Sequence, residues 1–385
     1  MKCQVLKEDI VEGVQLASNI IPAKTGTAYL RTIWLETREN AITIMATDSN
    51  IEFTGTYPAQ ILESGRVGIH GKKFSDLIRK LPPGELTFEA NEGDTTILIH
   101  QGKKKYKLPL NNGTWFQEFQ PMPEQGAIVW SGELLQNVIE RISFCINDSE
   151  DTGPMNCIKF TPLSHDVIEV CGMNGHQFGL LRFSTPDIHA SLGETGILIA
   201  KKDLNEISKW LRPEDIFINL TEKKMFLRSA RGHETLSVPR RTSTFPNYQN
   251  FIESYESTFR STLEVDKYEL TDALDRILLF NTQSSRSTYL HFSPNELGLS
   301  CHGQEFGEGL EIITAHFQGD LDMIAIPTRI LLEIMSHFTS TKITFQLAGP
   351  LDPCKITGPD DPDYFVITMP VEITEDTYYT EEEDA

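Results

Sequence analysis

The sequence predicts an α+β fold in which one module is used three times, each copy carrying two short amphipathic helices on one face of antiparallel sheet. Three ordered landmarks predict it. The apolar stripe Phe74, Leu77, Ile78, Leu81 has the i, i+3, i+4, i+7 spacing of a half-buried helix. It returns as Leu204, Ile207, Ser208, Leu211 and again as Leu331, Ile334, Met335, Phe338, each time with an acid two residues after the first position (Asp76, Glu206, Glu333). Ahead of it, a second stripe runs through Ile10, Gly13, Val14, Ala17, then Leu135, Val138, Ile139, Ile142, then Leu270, Ala273, Leu274, Ile277. Between the two helices of each copy an apolar run meets a tight turn: Ile42 to Asp48, Val167 to Asn174, Leu297 to Gly303. The copies lie roughly 130 residues apart, a spacing that marks a repeated structural unit.

Taken in order, residues 1–125 read as strand, helix (Asp9 to Ser18), strands, helix (Lys72 to Leu81) and strands at Leu86 to Phe88, Thr95 to Ile99 and Tyr106 to Leu110. Pro82-Pro83-Gly84 stops the second helix, and Pro121 to Gly126 forms the first boundary. Residues 126–255 repeat the plan with helices at Gly132 to Cys145 and Asp203 to Leu211. Residues 256–373 repeat it again, including a helix from Asp272 to Phe280. Residues 374–385 are acidic, have no apolar period, and read as a disordered tail.

Modules of this size bury their own cores. Six cysteines with no Cys-x-x-Cys pair and no disulfide-like ladder fit a reducing cytoplasm. With no apolar signal core and no long apolar run, the chain reads as a soluble, unexported protein with no membrane partner. The net charge of −21 opposes phosphate binding by the surface as a whole. Charge acts locally, within a Debye length of about 8 Å in physiological salt, and many acids crowd the last dozen residues and the Asp360 to Asp363 loop. A basic lining on an acidic protein is therefore allowed.

Catalytic signatures are missing. Gly68 to Lys73 lacks the phosphate-loop spacing, and His233-Glu234 lacks a second histidine where Ser237 stands. Asp360, Asp361 and Asp363 read as a solvated acidic loop in preference to a cation site. No enzyme, metal or cofactor is expected. The basic residues carry more: Lys72-Lys73 and Lys201-Lys202 stand immediately before equivalent helices, with Arg329 ahead of the third. The helix dipole disfavours cations there. Two readings stay open, a solvated helix end and unspecific contact with phosphates.

The triplicated layout, Lys24 in the first loop, Asn174-Gly175-His176 after a strand, Phe245-Pro246-Asn247-Tyr248, and the close Tyr364-Phe365-Val366-Ile367-Thr368-Met369-Pro370-Val371-Glu372-Ile373 together resemble the bacterial DNA polymerase III beta sliding clamp family, over residues 1–373. The resemblance implies a head-to-tail homodimer, a ring of six clamp domains whose helices line a hole for double-stranded DNA, held without regard to sequence. It implies that Lys24, Lys72, Lys73, Lys201 and Lys202 face the DNA and that the turn from Asn147 to Gly153 touches it. It also implies an apolar pocket for short linear motifs of the polymerase III catalytic subunit, the clamp loader, other polymerases and repair proteins. The matching positions are Met155, Gly175, His176, Phe178, Pro246, Phe251, Ile367, Met369 and Pro370, with Met173 and Leu351 at the edge. Adaptable methionines suit such a pocket; without the resemblance the same residues read as ordinary core. Gln177, Asn250 and Glu372 stand where many members carry arginine, so the rim is expected to be less basic. Tyr378 and Tyr379 of the tail are expected to compete weakly for the pocket. Tyr106, Leu278 and Leu279 match dimer-contact positions, a fully buried helix end being the rival reading of the two leucines.

Two functions follow. One is a non-enzymatic processivity factor that encircles DNA and tethers a polymerase. The other is a cytoplasmic three-domain scaffold that binds peptides without encircling DNA. Lysine pairs at equivalent places in two modules favour the first, because a peptide scaffold has no use for them.

Overall fold

The computed structural model describes residues 1–22, 27–164, 166–282, 286–303 and 307–372. Lys24 and the acidic segment 374–385, with Tyr378 and Tyr379, lie outside them. The described α-helices are α1 (Lys7–Ile20), α2 (Gly71–Lys80), α3 (Gly132–Ser143), α4 (Pro186–Ser191), α5 (Lys201–Trp210), α6 (Gln249–Glu256), α7 (Lys267–Ile277) and α8 (Thr328–Ser336). None is long and apolar enough to cross a membrane.

The stripes fold as their spacing dictates. Ile10, Val14 and Ala17 of α1, Leu135, Val138, Ile139 and Ile142 of α3, and Leu270, Ala273, Leu274 and Ile277 of α7 are all buried. So are Phe74 and Ile78, Leu204 and Ile207, and Leu331, Ile334 and Met335 in the second helices. Each large side chain so placed contributes about 1.5–3 kcal/mol. Gly13 belongs to the first stripe for a steric reason: a Cβ there would lie 1.9 Å from the Tyr57 hydroxyl, which donates to Glu234 Oε1 at 2.7 Å. The acids of the second stripe pair along their helices, Asp76 with Arg79 at 3.1 Å, Glu206 with Lys209 at 2.6 Å and Glu333 with His337 at 3.5 Å.

One joint recurs in all three copies. The strand that leads into the first helix pairs antiparallel with the strand that leaves the second, in the registers Leu6↔Glu85, Ser131↔Asp215 and Asp266↔Lys342. At the same point the first helical N–H donates across to a carbonyl just past the second helix: Lys7 to Gly84 (3.0 Å), Gly132 to Glu214 (3.1 Å) and Lys267 to Thr341 (2.7 Å). A cation then covers the terminal carbonyls of each second helix, where the dipole favours positive charge. Lys7 donates to the Arg79 and Leu81 carbonyls, Lys267 to the Phe338 carbonyl at 2.7 Å. In the middle copy Gly132 leaves no side chain to do this, and Arg212 donates to the Lys209, Trp210 and Leu211 carbonyls instead.

The chain packs as two compact units. The first comprises Met1–Ile139, Phe160–Val167 and Thr185–Ser243. It holds a thirteen-stranded antiparallel sheet that begins Ile128–Ser131, Asp215–Leu220, Lys224–Ser229, Glu234–Pro239 and continues directly through Glu52–Pro58, Ala41–Thr47, Thr32–Arg38 and Gly65–His70. The second comprises Glu140–Lys159, Ile168–Ser184 and the chain from Thr244 onward. Its part of a twelve-stranded sheet includes the consecutive run Val167–Met173, Gln177–Ser184, Tyr364–Thr368, Cys354–Thr357, Lys342–Leu347, Ser261–Asp266, Gly307–Gln318, Glu296–Gly303, Ser287–Ser293 and Met323–Pro327. Strands from the middle third thus pair within each unit, Leu236 opposite Phe53 in one and Phe178 opposite Ile367 in the other. Packing therefore divides the chain in two where the repeat divides it in three.

Several expected bounds shift. Lys72-Lys73 and Lys201-Lys202 lie inside the first turns of α2 and α5, and Arg329 inside that of α8, because neither His70, Ala200 nor Pro327 caps with its side chain and the helical backbone starts early. The helix expected at Asp272 to Phe280 is α7 followed by a 3-10 turn, Leu278–Phe280. The run from Leu297 keeps its expected extent, as a strand that pairs on to Gly303↔Gly307.

The joint supplies a test. A Cβ on Gly132 would fall 2.3 Å from the Arg212 carbonyl oxygen and 2.6 Å from that of Glu214. Gly132→Ala is predicted to destabilise the protein by about 1–3 kcal/mol, the range of overpacking, read as a lowered urea midpoint.

Candidate nucleic-acid interface and peptide site

The cationic candidates gather in the first unit. Lys72 and Lys73 are exposed, Lys201 is half-buried, and Lys202 is exposed. Lys202 Nζ donates to Asp48 Oδ2 at 2.7 Å. Burial pushes the Asp48 carboxyl up, but the hydrogen bonds from Lys202 and from the Ile51 and Asn50 amides outweigh it and leave the group below the usual carboxylate range. Lys202 is thus ion-paired, and a phosphate must compete with Asp48 for it. Beside Lys72 a cleft of about 160 Å³ opens, lined by Ser18, Asn19, Arg31, His70, Lys72 and Lys209 among others, with no carboxylate among the described residues of its lining. Arg31, His70 and Lys209 are functional candidates that no local pattern revealed, since three distant segments supply them.

The turn from Asn147 to Gly153 lies in the second unit. It is built around Ser149, whose hydroxyl accepts from the Asp151 amide at 3.3 Å, and Gly153 at φ +62°. Asp148 and Asp151 are exposed on it, a charge that works against contact with phosphates.

The peptide-site candidates all belong to the second unit. The Asn174 side chain accepts from the His176 and Gln177 amides at 2.9 and 2.8 Å and shapes the turn; Gly175 supplies its left-handed residue at φ +91°. That turn brings Gly175 beside Met155, whose Cε would lie 3.6 Å from an added Cβ. His176 is exposed, and its carbonyl accepts from the Met369 amide at 2.9 Å. Phe178, buried opposite Ile367, packs on Tyr248 at 5.5 Å and Phe365 at 6.1 Å between ring centroids. Met155, Met173, Phe251 and Met369 are half-buried, Pro370 is buried, and Pro246 and Leu351 are exposed. The structure therefore joins Met155, Gly175, His176, Phe178, Ile367 and Met369 through contacts, while Pro246, Phe251 and Leu351 share only the unit.

Two findings revise the expected rim. Asn250 and Glu372 are exposed, but Gln177 is buried and its Oε1 accepts from Asn174 Nδ2 at 2.7 Å, so it braces the turn. Beneath Phe178 sits a buried acid that sequence reading missed. Glu169, its side chain 2% exposed, accepts from the Tyr248 hydroxyl and from Arg182 Nε at 2.9 Å. Burial, then Cys171 and Glu169, push the Tyr248 phenol well above its usual value, and burial pushes the Cys171 thiol up to about 12. Alternation along Val167–Met173 could not flag Glu169, because nearly every residue of that strand is buried.

The contact candidates are apolar and open. Leu279 is 75% exposed and Leu278 half-buried, which removes the reading of a fully buried helix end. Leu310 and Ile312, 70% and 61% exposed, stand on strand Gly307–Gln318, which α7 meets through Arg276 and Glu311 at 2.7 and 3.0 Å. Tyr106 is half-buried between the exposed Lys105 and Lys107.

A repeated helix pair on antiparallel sheet, basic helix starts and an apolar patch at a strand-end turn define a clamp-type protein. Comparison with known proteins narrows this. The model of the DNA polymerase III beta subunit N-terminal domain matches residues 1–117, and that of its C-terminal domain residues 257–372. The beta sliding clamp of Chlamydia muridarum is 24% identical over 98% of this chain and all of its own length, that of Caulobacter vibrioides 20% identical over 97% and all. Among solved structures, the sliding clamp of Bacillus subtilis superposes with a TM-score of 0.87 at 20% identity, and that of Bartonella birtlesii bound to griselimycin with 0.86 at 21%, each over 97% of this chain and the whole of theirs. The chain belongs to the DNA polymerase III beta subunit family.

Asp48 gives a pH test with a definite sign. Its carboxyl ionises more readily folded than unfolded, so its ion pair stabilises above the ordinary carboxylate range and is lost as pH falls through the lowered value. Asp48→Asn is predicted to be less stable than the parent at pH 7, with the gap in urea midpoint closing below about pH 4.

Proposed function

We propose that the chain is a non-enzymatic DNA sliding clamp of the cytoplasm, two copies closing head to tail into a ring of six modules. The observation that carries this reading is the joint repeated three times, which holds a helix pair in the same attitude in modules 1–125, 126–255 and 256–373. Closure puts equivalent helices on one side. Duplex DNA is then retained by topology, so the lining needs only modest charge and no base readout. Lys72, Lys73, Lys201 and Lys202, with Lys24, supply that charge, and no cofactor or metal enters.

The apolar patch around Phe178, Ile367, Met155 and Met369 fits a short linear motif with an aromatic or aliphatic anchor. Partners of that kind are the polymerase III catalytic subunit, the clamp loader, and other polymerases and repair proteins. The family supports this partner set, and the exposed Asn250 and Glu372 make the rim less basic. A three-domain scaffold that never encircles DNA accounts for the patch and leaves the lysine pairs unexplained.

Module one of one chain meets module three of the next through Tyr106 on one side and Leu278, Leu279, Leu310 and Ile312 on the other. Leu279→Asp with Ile312→Asp is predicted to halve the mass seen by light scattering at micromolar concentration while the folding transition stays cooperative. Variants that remain dimeric would remove this interface. Phe178→Ala is predicted to weaken binding of a polymerase-tail peptide at least tenfold, as loss of a buried aromatic anchor should; unchanged calorimetric affinity would remove the pocket.

A further inference from the structure

We infer that the cleft beside α2 is a discrete seat for one phosphate oxyanion, set into the lining and supplied in function by the backbone of the encircled duplex. This rests on the clamp reading and deepens it. The cleft is built by the sheet: Thr32 pairs directly with His70, which sets Arg31 and His70 side by side. The Thr32 hydroxyl donates to the Ala28 carbonyl at 2.8 Å and fixes the 3-10 turn that ends at Arg31. Lys72 follows His70 in the first turn of α2, and Lys209 reaches in from the last turn of α5.

Three features ask for an anion. Among the described residues no carboxylate lines the cleft, although the protein carries 55 acids against 34 lysines and arginines; Lys209 is shared with Glu206 at 2.6 Å, and an anion competes with that pair. Arg31 Nε and His70 Nδ1 are buried without a hydrogen-bond partner among the described residues, and an unmet buried donor is costly. The start of α2 adds the positive end of a helix dipole and has no acid in its first turn. A planar guanidinium beside ammonium groups suits the tetrahedral phosphate. The volume, about 160 Å³, is several times the roughly 30 Å³ share of one water. The site reads no base. It gives each chain one preferred position for a phosphate, superimposed on the diffuse field of the exposed lysines.

The test uses full-length protein, a fluorescein-labelled 30-base-pair duplex at graded sodium chloride, and inorganic phosphate followed by calorimetry. Arg31→Gln with Lys209→Gln is expected to weaken duplex binding severalfold at low salt and to lower the slope of log K against log salt by about one. Arg31→Lys should restore part of the slope. Lys209→Gln, on an exposed side chain, keeps the test open if Arg31→Gln fails to fold. An unchanged slope in these variants, with Lys73→Gln still lowering it, overturns the cleft and spares the clamp reading. A duplex that no protein binds, parent included, with no inorganic phosphate bound either, overturns the cleft, while isolated three-lobed arcs in electron micrographs would overturn the clamp reading. Inorganic phosphate that binds the parent and not Arg31→Gln, with duplex affinity equal in the two, makes the cleft an anion site unrelated to DNA and overturns the assignment to the backbone.

Discussion

The structure depends on the joint where one strand enters the first helix of each copy and its neighbour leaves the second. A single backbone hydrogen bond, from Lys7, Gly132 or Lys267, closes it, and the strand register on either side is fixed by it. Because both helices are tied at the same end to adjacent strands, their apolar stripes are presented to one face of the sheet together. The stripes then bury, and the charges on the outer faces of the helices stand at set positions. Copies satisfy the helix-end carbonyls differently, Lys7 and Lys267 from the neighbouring helix and Arg212 from its own chain end. The electrostatic requirement is the same in each. Only the residue that meets it has moved.

This rigidity is what allows a protein of net charge −21 to hold a polyanion. Lysines on α2 and α5 start from a fixed framework, and acids that lie more than a Debye length of about 8 Å from a bound phosphate are largely screened from it. The peptide patch follows a similar logic. Its floor, Phe178, is locked by strand pairing with Ile367 and by a ring contact with Tyr248, which the buried Glu169 orients. The half-buried methionines around that floor remain free to adapt.

Much of this was legible in the sequence, and the reasons are physical. Stripes at helical spacing declared six of the eight described α-helices. Two stayed hidden: α4 has one buried residue, Ile188, and α6 has none, so neither writes an apolar period. The lysine pairs were visible, but their position inside the first turn was not, because no capping side chain marks where those helices begin. Leu310 and Ile312 were concealed by Ile313 beside them, a run that reads as core although alternate residues point outward. The cleft could not be seen at all. Arg31, His70 and Lys209 come together only through the pairing of Thr32 with His70 and the packing of α5, and sequence separation erases that signal.

The central claim is that two copies of the repeated module set close around a hole. Single-particle electron microscopy of the purified chain, without DNA and at micromolar concentration, tests it most directly. A closed ring of six lobes about a central opening is the predicted image. Isolated three-lobed arcs under those conditions would contradict the account and leave a peptide-binding scaffold in its place.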